Sequence, residues 1–130
     1  MTLNVLVVEP NREAREGLKQ SLSQALGEIA FGEAKDARTA LQAMDQKNVE
    51  LIVADLEMPG SEGRTFLQKL RSSRGADIQP VVALSDRITP ELLMEFKKDP
   101  MVWFVQKPAA HGEIADLAGM LLQRPPCTAH

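Results

Sequence analysis

Cysteine is nearly missing from this chain. The single residue, Cys127, excludes an intrachain disulfide and reads as a solvated tail thiol. A chain built without disulfides points to a reducing, cytoplasmic setting. Long apolar runs are missing too: no stretch nears the roughly eighteen residues of a bilayer-spanning helix. The apolar start, residues 1–8, has no basic segment ahead of it and meets Glu9 at once, so no signal peptide is expected. Clustered positive charge is also absent. Fifteen Lys and Arg stand against 18 Asp and Glu, a net charge of −3, and the longest basic run is Lys97-Lys98. Phosphate neutralisation along a nucleic acid needs a basic stripe, so no direct nucleic-acid contact is expected. The two histidines, His111 and His130, have no neighbours suggesting a metal site or a proton relay, and His111 reads as the opening of a helix.

What is present suits one domain. At 130 residues, with 44% apolar and 25% charged residues, the chain can build a single core without a structural metal. Two periods alternate along it. Apolar runs at 3–8, 29–31, 51–54, 81–84 and 102–105 read as strands, the second being the weakest. They are continuous rather than alternating, the pattern of strands buried on both faces. Between them, Ala14, Leu18, Leu22 and Ala25 share one helical face. Ala37, Ala40, Leu41 and Met44 form a second behind the N-cap candidate Asp36, and Phe66, Leu67 and Leu70 a third. Thr89-Pro90-Glu91 starts a fourth helix with a capping hydroxyl, a first-turn proline and an acid, and Ile114, Leu117, Ala118 and Leu121 mark a fifth. Five strand–helix units predict a doubly wound (βα)5 fold with a parallel five-stranded sheet, flavodoxin-like in class. The last helix ends near Arg124, and Pro125-Pro126 follows, so residues 1–124 form the domain and 125–130 a tail or the start of a linker.

Ligands of such sheets bind beyond the carboxyl ends of the strands. Those ends carry Glu9-Pro10, Asp55, Ser85-Asp86 and Lys107-Pro108. Asp55 is a carboxylate able to act as nucleophile in phosphoryl transfer, Ser85 a donor to a phosphoryl oxygen and Lys107 its pairing charge. Backbone N–H groups after Asp55 would complete the cradle. Taken singly, each has a plainer role: an aspartate capping a turn, a serine holding the turn after its strand.

The strings VLVVEPNREAR, ELIVADLEMPGSEG, PVVALSD and WFVQKP resemble the receiver domain of two-component response regulators over nearly the whole chain. The Asp55-to-Pro59 string followed by Gly63 is a specific signal. The resemblance implies that residues 1–124 are a receiver domain with Asp55 as phosphoacceptor, Ser85 as switch hydroxyl and Lys107 as the phosphate-pairing lysine. Pro108 would follow a cis peptide. Phe104 falls at the switch aromatic, with half-buried core as its alternative role, and Trp103 on the opposite side of the strand reads as surface packing. Such a module is not a free-standing enzyme; it catalyses at most its own phosphorylation and dephosphorylation. Its partners would be a sensor histidine kinase or a phosphotransfer protein. A homodimer or target would use the fourth helix, fifth strand and fifth helix, where Met94, Lys97, Lys98, Trp103 and Gln106 are exposed candidates.

One departure stands out. Receivers end their first strand in two adjacent acids that help hold Mg²⁺, and here the pair is Glu9-Pro10. Proline offers neither a ligand nor an N–H. The expected Mg²⁺ donors are the Glu9 and Asp55 carboxylates and the Glu57 backbone carbonyl, a site weakened by Pro10. The Glu57 side chain, at the pocket mouth, could compensate, could repel a phosphodonor, or could simply be solvated. Two readings follow: a phosphorylation switch with an unusual metal site, or a pseudo-receiver that binds partners without being phosphorylated. A small flavodoxin-like redox protein shares the fold, but its Ser-, Thr- and Gly-rich flavin loop has no counterpart in PNREAR.

Overall fold

A computed structural model describes residues 2–46, 48–58, 62–74, 79–99 and 101–122. Pro59, Arg124, Pro125, Pro126, Cys127 and His130, and with them the expected tail, lie outside the described residues. The elements run β1 (Leu3–Val8), α1 (Arg12–Leu26), β2 (Ile29–Ala34), α2 (Ala37–Gln46), β3 (Leu51–Asp55), α3 (Glu62–Arg74), β4 (Val81–Ser85), α4 (Pro90–Glu95), β5 (Val102–Gln106) and α5 (His111–Leu121). All strand pairings are parallel, in the order β2-β1-β3-β4-β5.

The continuous apolar runs have the cause expected of them. In β1, Leu3, Val5 and Val7 pack with Leu18, Leu22 and Leu26 of α1 and with Ile114 and Ala118 of α5. Leu6 and Val8 turn the other way, toward Ala40 and Met44 of α2, Phe66 and Leu70 of α3, and Leu92 of α4. β3 and β4 divide by the same parity, and every residue of both is buried. The helix starts follow their sequence signals. Asp36 accepts from the Thr39 N–H at 2.8 Å, and Thr89 accepts from the Leu92 N–H at 3.1 Å ahead of Pro90. Helix α1 stops at Gly27, whose φ of 89° lies where only glycine sits without strain.

Strand β2 corrects the sequence reading, which ended it at Phe31. It continues to Ala34, matching all six residues of β1. Gly32 and Glu33 break its apolar run because β2 is an edge strand. Glu33 points outward, where it pairs with Arg15 and Lys19 of α1 at 3.1 and 3.0 Å.

Candidate functional site

The parallel sheet brings its carboxyl ends to one edge, and the polar residues gather there. Asp55 is the last residue of β3, Ser85 the last of β4, and Glu9 directly follows β1. They are 5%, 6% and 7% exposed, so the pocket floor is largely removed from water. Lys107, just beyond β5, donates from Nζ to Asp55 Oδ2 at 2.7 Å. The other oxygen, Oδ1, accepts from the Glu57 N–H at 2.7 Å. Burial alone would lower the Lys107 pKa, but its hydrogen bond to Asp55 and the Asp55 charge outweigh this and hold it above the usual lysine value. The Lys107-Pro108 peptide is cis.

Glu9 is held differently. Its Oε2 accepts from the Asn11 N–H at 2.9 Å, and Arg15 Nη1 donates to its main-chain oxygen at 2.8 Å. Burial pushes its carboxyl pKa above the usual value; the Asn11 N–H opposes this, and the neighbouring Asp55 pushes it higher. Asn11 also caps α1, accepting from the Ala14 N–H at 2.9 Å. The sequence reading passed over Asn11, although an Asn directly before a helical run is a recognised start signal. Pro10 is exposed and contributes no side-chain donor or acceptor. Among the described residues, no group of three or more His, Cys, Asp and Glu side chains gathers as a metal site.

Ser85 and Glu57 form the second half of the pocket. Glu57 Oε1 accepts from Ser85 Oγ at 2.9 Å and from the Asp86 N–H at 2.6 Å. Ser85 Oγ also accepts from the Arg87 N–H at 3.2 Å, so it holds the turn after its strand as well. Of the expected cradle amides after Asp55, the Leu56 N–H is taken by Leu84 O at 2.7 Å and the Glu57 N–H by Asp55 itself. Gly63 keeps the β3–α3 loop close to the start of α3: a Cβ there would lie 2.4 Å from the Leu56 carbonyl oxygen. Phe104 is half-buried on the α2–α4 side of β5, its ring centroid 6.0 Å from that of Phe96. In register it stands opposite Ala83, two residues before the pair Ser85 and Gln106, so it does not line the pocket floor. Trp103, on the other side of β5, is exposed.

A five-stranded parallel sheet with helices on both faces and this polar set at its carboxyl edge defines an α/β domain of receiver architecture. The chain belongs to the response regulator receiver domain family, whose sequence profile matches residues 5–118, and it is a receiver domain of two-component signalling. It is 35% identical over 108 residues to protein-glutamate methylesterase/protein-glutamine glutaminase 5 of Myxococcus xanthus, an alignment covering 83% of this chain and 31% of that protein. The chain thus spans about a third or less of the curated relatives it matches. The receiver domain of the Francisella response regulator 1452 has a TM-score of 0.78 and 26% identity, covering 93% of this chain and 97% of that one. Chemotaxis response regulator CheY4 of Vibrio cholerae, with 21% identity, a TM-score of 0.78 and coverage of 93% and 99%, shares the fold. Receiver domains in general work with histidine kinases or phosphotransfer proteins and bind Mg²⁺ at their acidic pocket. No helix among the described residues is long and apolar enough to cross a membrane.

Proposed function

We propose that Asp55 accepts a phosphoryl group from a sensor histidine kinase or a phosphotransfer protein. The observation that carries this reading is the buried Asp55 carboxylate paired with Lys107 at 2.7 Å, with Ser85 ending the adjacent strand. One Asp55 oxygen attacks phosphorus and forms the new P–O bond. The bond from phosphorus to the donor breaks, and its electron pair leaves with the donor. Lys107 and Ser85 offer a positive charge and a hydroxyl to the phosphoryl oxygens, stabilisation that this loose transition state needs from its surroundings. The chain's own chemistry then extends to phosphorylation and dephosphorylation of Asp55. The pseudo-receiver reading draws no support from the pocket, which keeps the aspartate, hydroxyl and lysine together.

The hard oxygen donors fit Mg²⁺ in kind but are few: the carboxylates of Glu9 and Asp55 and the main-chain carbonyl of Glu57 would hold it. When bound, Mg²⁺ neutralises charge developing on the phosphoryl oxygens. Phe104 in this reading couples the pocket to the face formed by α4, β5 and α5, which carries a homodimer contact or a target. Intact-mass spectrometry with acetyl phosphate across a Mg²⁺ series tests the proposal. The wild type labels at high Mg²⁺, Asp55→Asn does not, and Pro10→Asp gains Mg²⁺ affinity by about tenfold or more, about 1.4 kcal/mol. Labelling only in Pro10→Asp would favour the pseudo-receiver, and labelling in neither folded protein would overturn the assignment of Asp55.

A further inference from the structure

We infer that Glu57 is a built-in competitor for the phosphoryl-binding donors, a carboxylate latch that phosphorylation of Asp55 must displace. The inference rests on the reading of Asp55 as phosphoacceptor and adds a role for a residue that this reading uses only through its main chain. Glu57 Oε1 receives two donors at once, the Ser85 hydroxyl at 2.9 Å and the Asp86 N–H at 2.6 Å. Two donors converging on one anionic oxygen, one of them the hydroxyl offered to the phosphoryl group, make the contact an intramolecular stand-in for a phosphoryl oxygen.

The hydroxyl cannot serve both. Ser85 has a single proton. Two acceptors lie within reach of it, the Glu57 carboxylate and the Arg87 carbonyl at 3.1 Å, and the charged acceptor makes the stronger bond. The Arg87 N–H takes a lone pair of the same oxygen at 3.2 Å, so the hydroxyl is oriented toward Glu57. Glu57 is anchored at its other end, where its own N–H binds Asp55 Oδ1 at 2.7 Å. Residues 55–57 therefore join the end of β3 to the loop after β4 before any phosphoryl group arrives. A phosphoryl group on Asp55 places additional negative charge beside Glu57 and calls on the same hydroxyl. Like charges so close raise the energy of the latched state, and the Glu57 side chain, on the exposed residue of the pair, swings into solvent. The latch opposes the phosphorylated arrangement and sets how much phosphoryl binding energy is needed to reach it.

Amide NMR of wild type, Glu57→Gln and Glu57→Ala, with and without the phosphoryl mimic beryllium trifluoride and saturating Mg²⁺, tests this. Both substitutions keep the main-chain carbonyl. In the unmodified protein the Asp86 amide resonance should shift markedly in Glu57→Ala and less in Glu57→Gln, which keeps an acceptor oxygen. The mimic should bind Glu57→Ala about tenfold more tightly than wild type, the equivalent of one charge-assisted hydrogen bond at a partly exposed site, with Glu57→Gln between. An unchanged Asp86 amide in Glu57→Ala overturns the latch whatever Asp55 does. Equal affinity for the mimic in wild type and Glu57→Ala overturns the competition while leaving Asp55 as acceptor. Failure of the mimic to bind any of the folded proteins overturns the reading of Asp55 and the competition with it.

Discussion

Lys107 illustrates how much a single residue carries here. Among the described residues, its ammonium is the one side-chain cation paired with buried Asp55, while Glu9 adds a second carboxylate nearby. Lys107→Ala leaves two acids facing each other, with the Glu57 N–H still on Asp55 Oδ1. We expect the variant to fold but to lose about 1–2 kcal/mol of stability, less than for a fully buried pair because Lys107 is partly exposed. The amide shifts that beryllium trifluoride induces beyond the pocket should disappear. Urea titration measures the first effect and amide NMR the second; a variant responding to the mimic like wild type would remove Lys107 from the site. Glu57 shows the same dependence on placement. Its side chain is exposed by area, yet it engages the hydroxyl of a residue on the next strand.

At the scale of elements, α4 is the part that needs outside support. With only six residues, Pro90–Glu95, it is too short to hold its own hydrogen bonds in water. Helix α3 supplies ties: Arg64 and Gln68 donate to the Glu95 carboxylate, and Arg71 lies 4.9 Å over the Phe96 ring. The hydrogen bond from Gln68, then that from Arg64, hold the Glu95 pKa below the ordinary glutamate value. A carboxyl whose folded-state pKa is depressed stabilises the fold above its unfolded pKa, and that contribution fades as pH falls through the folded pKa. Glu95→Gln should therefore melt lower than wild type near pH 7, by about 2 °C for an exposed tie worth about 0.5 kcal/mol. The gap should close on acidification below about pH 4. Calorimetry from pH 3 to 7 checks this, and a gap that stays constant across the range would show that Glu95 acts through packing instead.

For the molecule as a whole, the sheet ends on β5, whose Trp103 is 48% exposed, with Met94 of α4 67% exposed. A side chain this open contributes little to the core. Trp103→Ala should cost less than about 1 kcal/mol and should weaken any self-association or target binding through this face. Sedimentation velocity read alongside melting separates the two effects. A large fall in melting temperature with association unchanged would make Trp103 a core residue.

The sequence by itself determined the five strand–helix units, because strands covered on both faces leave continuous apolar runs and the Asp36 and Thr89-Pro90 starts are local chemistry. It also determined that Glu9, Asp55, Ser85 and Lys107 would meet, since parallel strands end at one edge. The full length of β2 was hidden because Gly32 and Glu33 carry no strand signal, and only pairing with β1 holds them extended. The bonds from Ser85 and the Asp86 N–H to Glu57 were hidden too. They join loops 28 and 29 residues apart, and periodicity reports which face an element buries, not where a loop side chain points. Tertiary structure alone decided that Glu57 turns inward, because only the finished sheet sets the end of β4 beside the loop that follows Asp55.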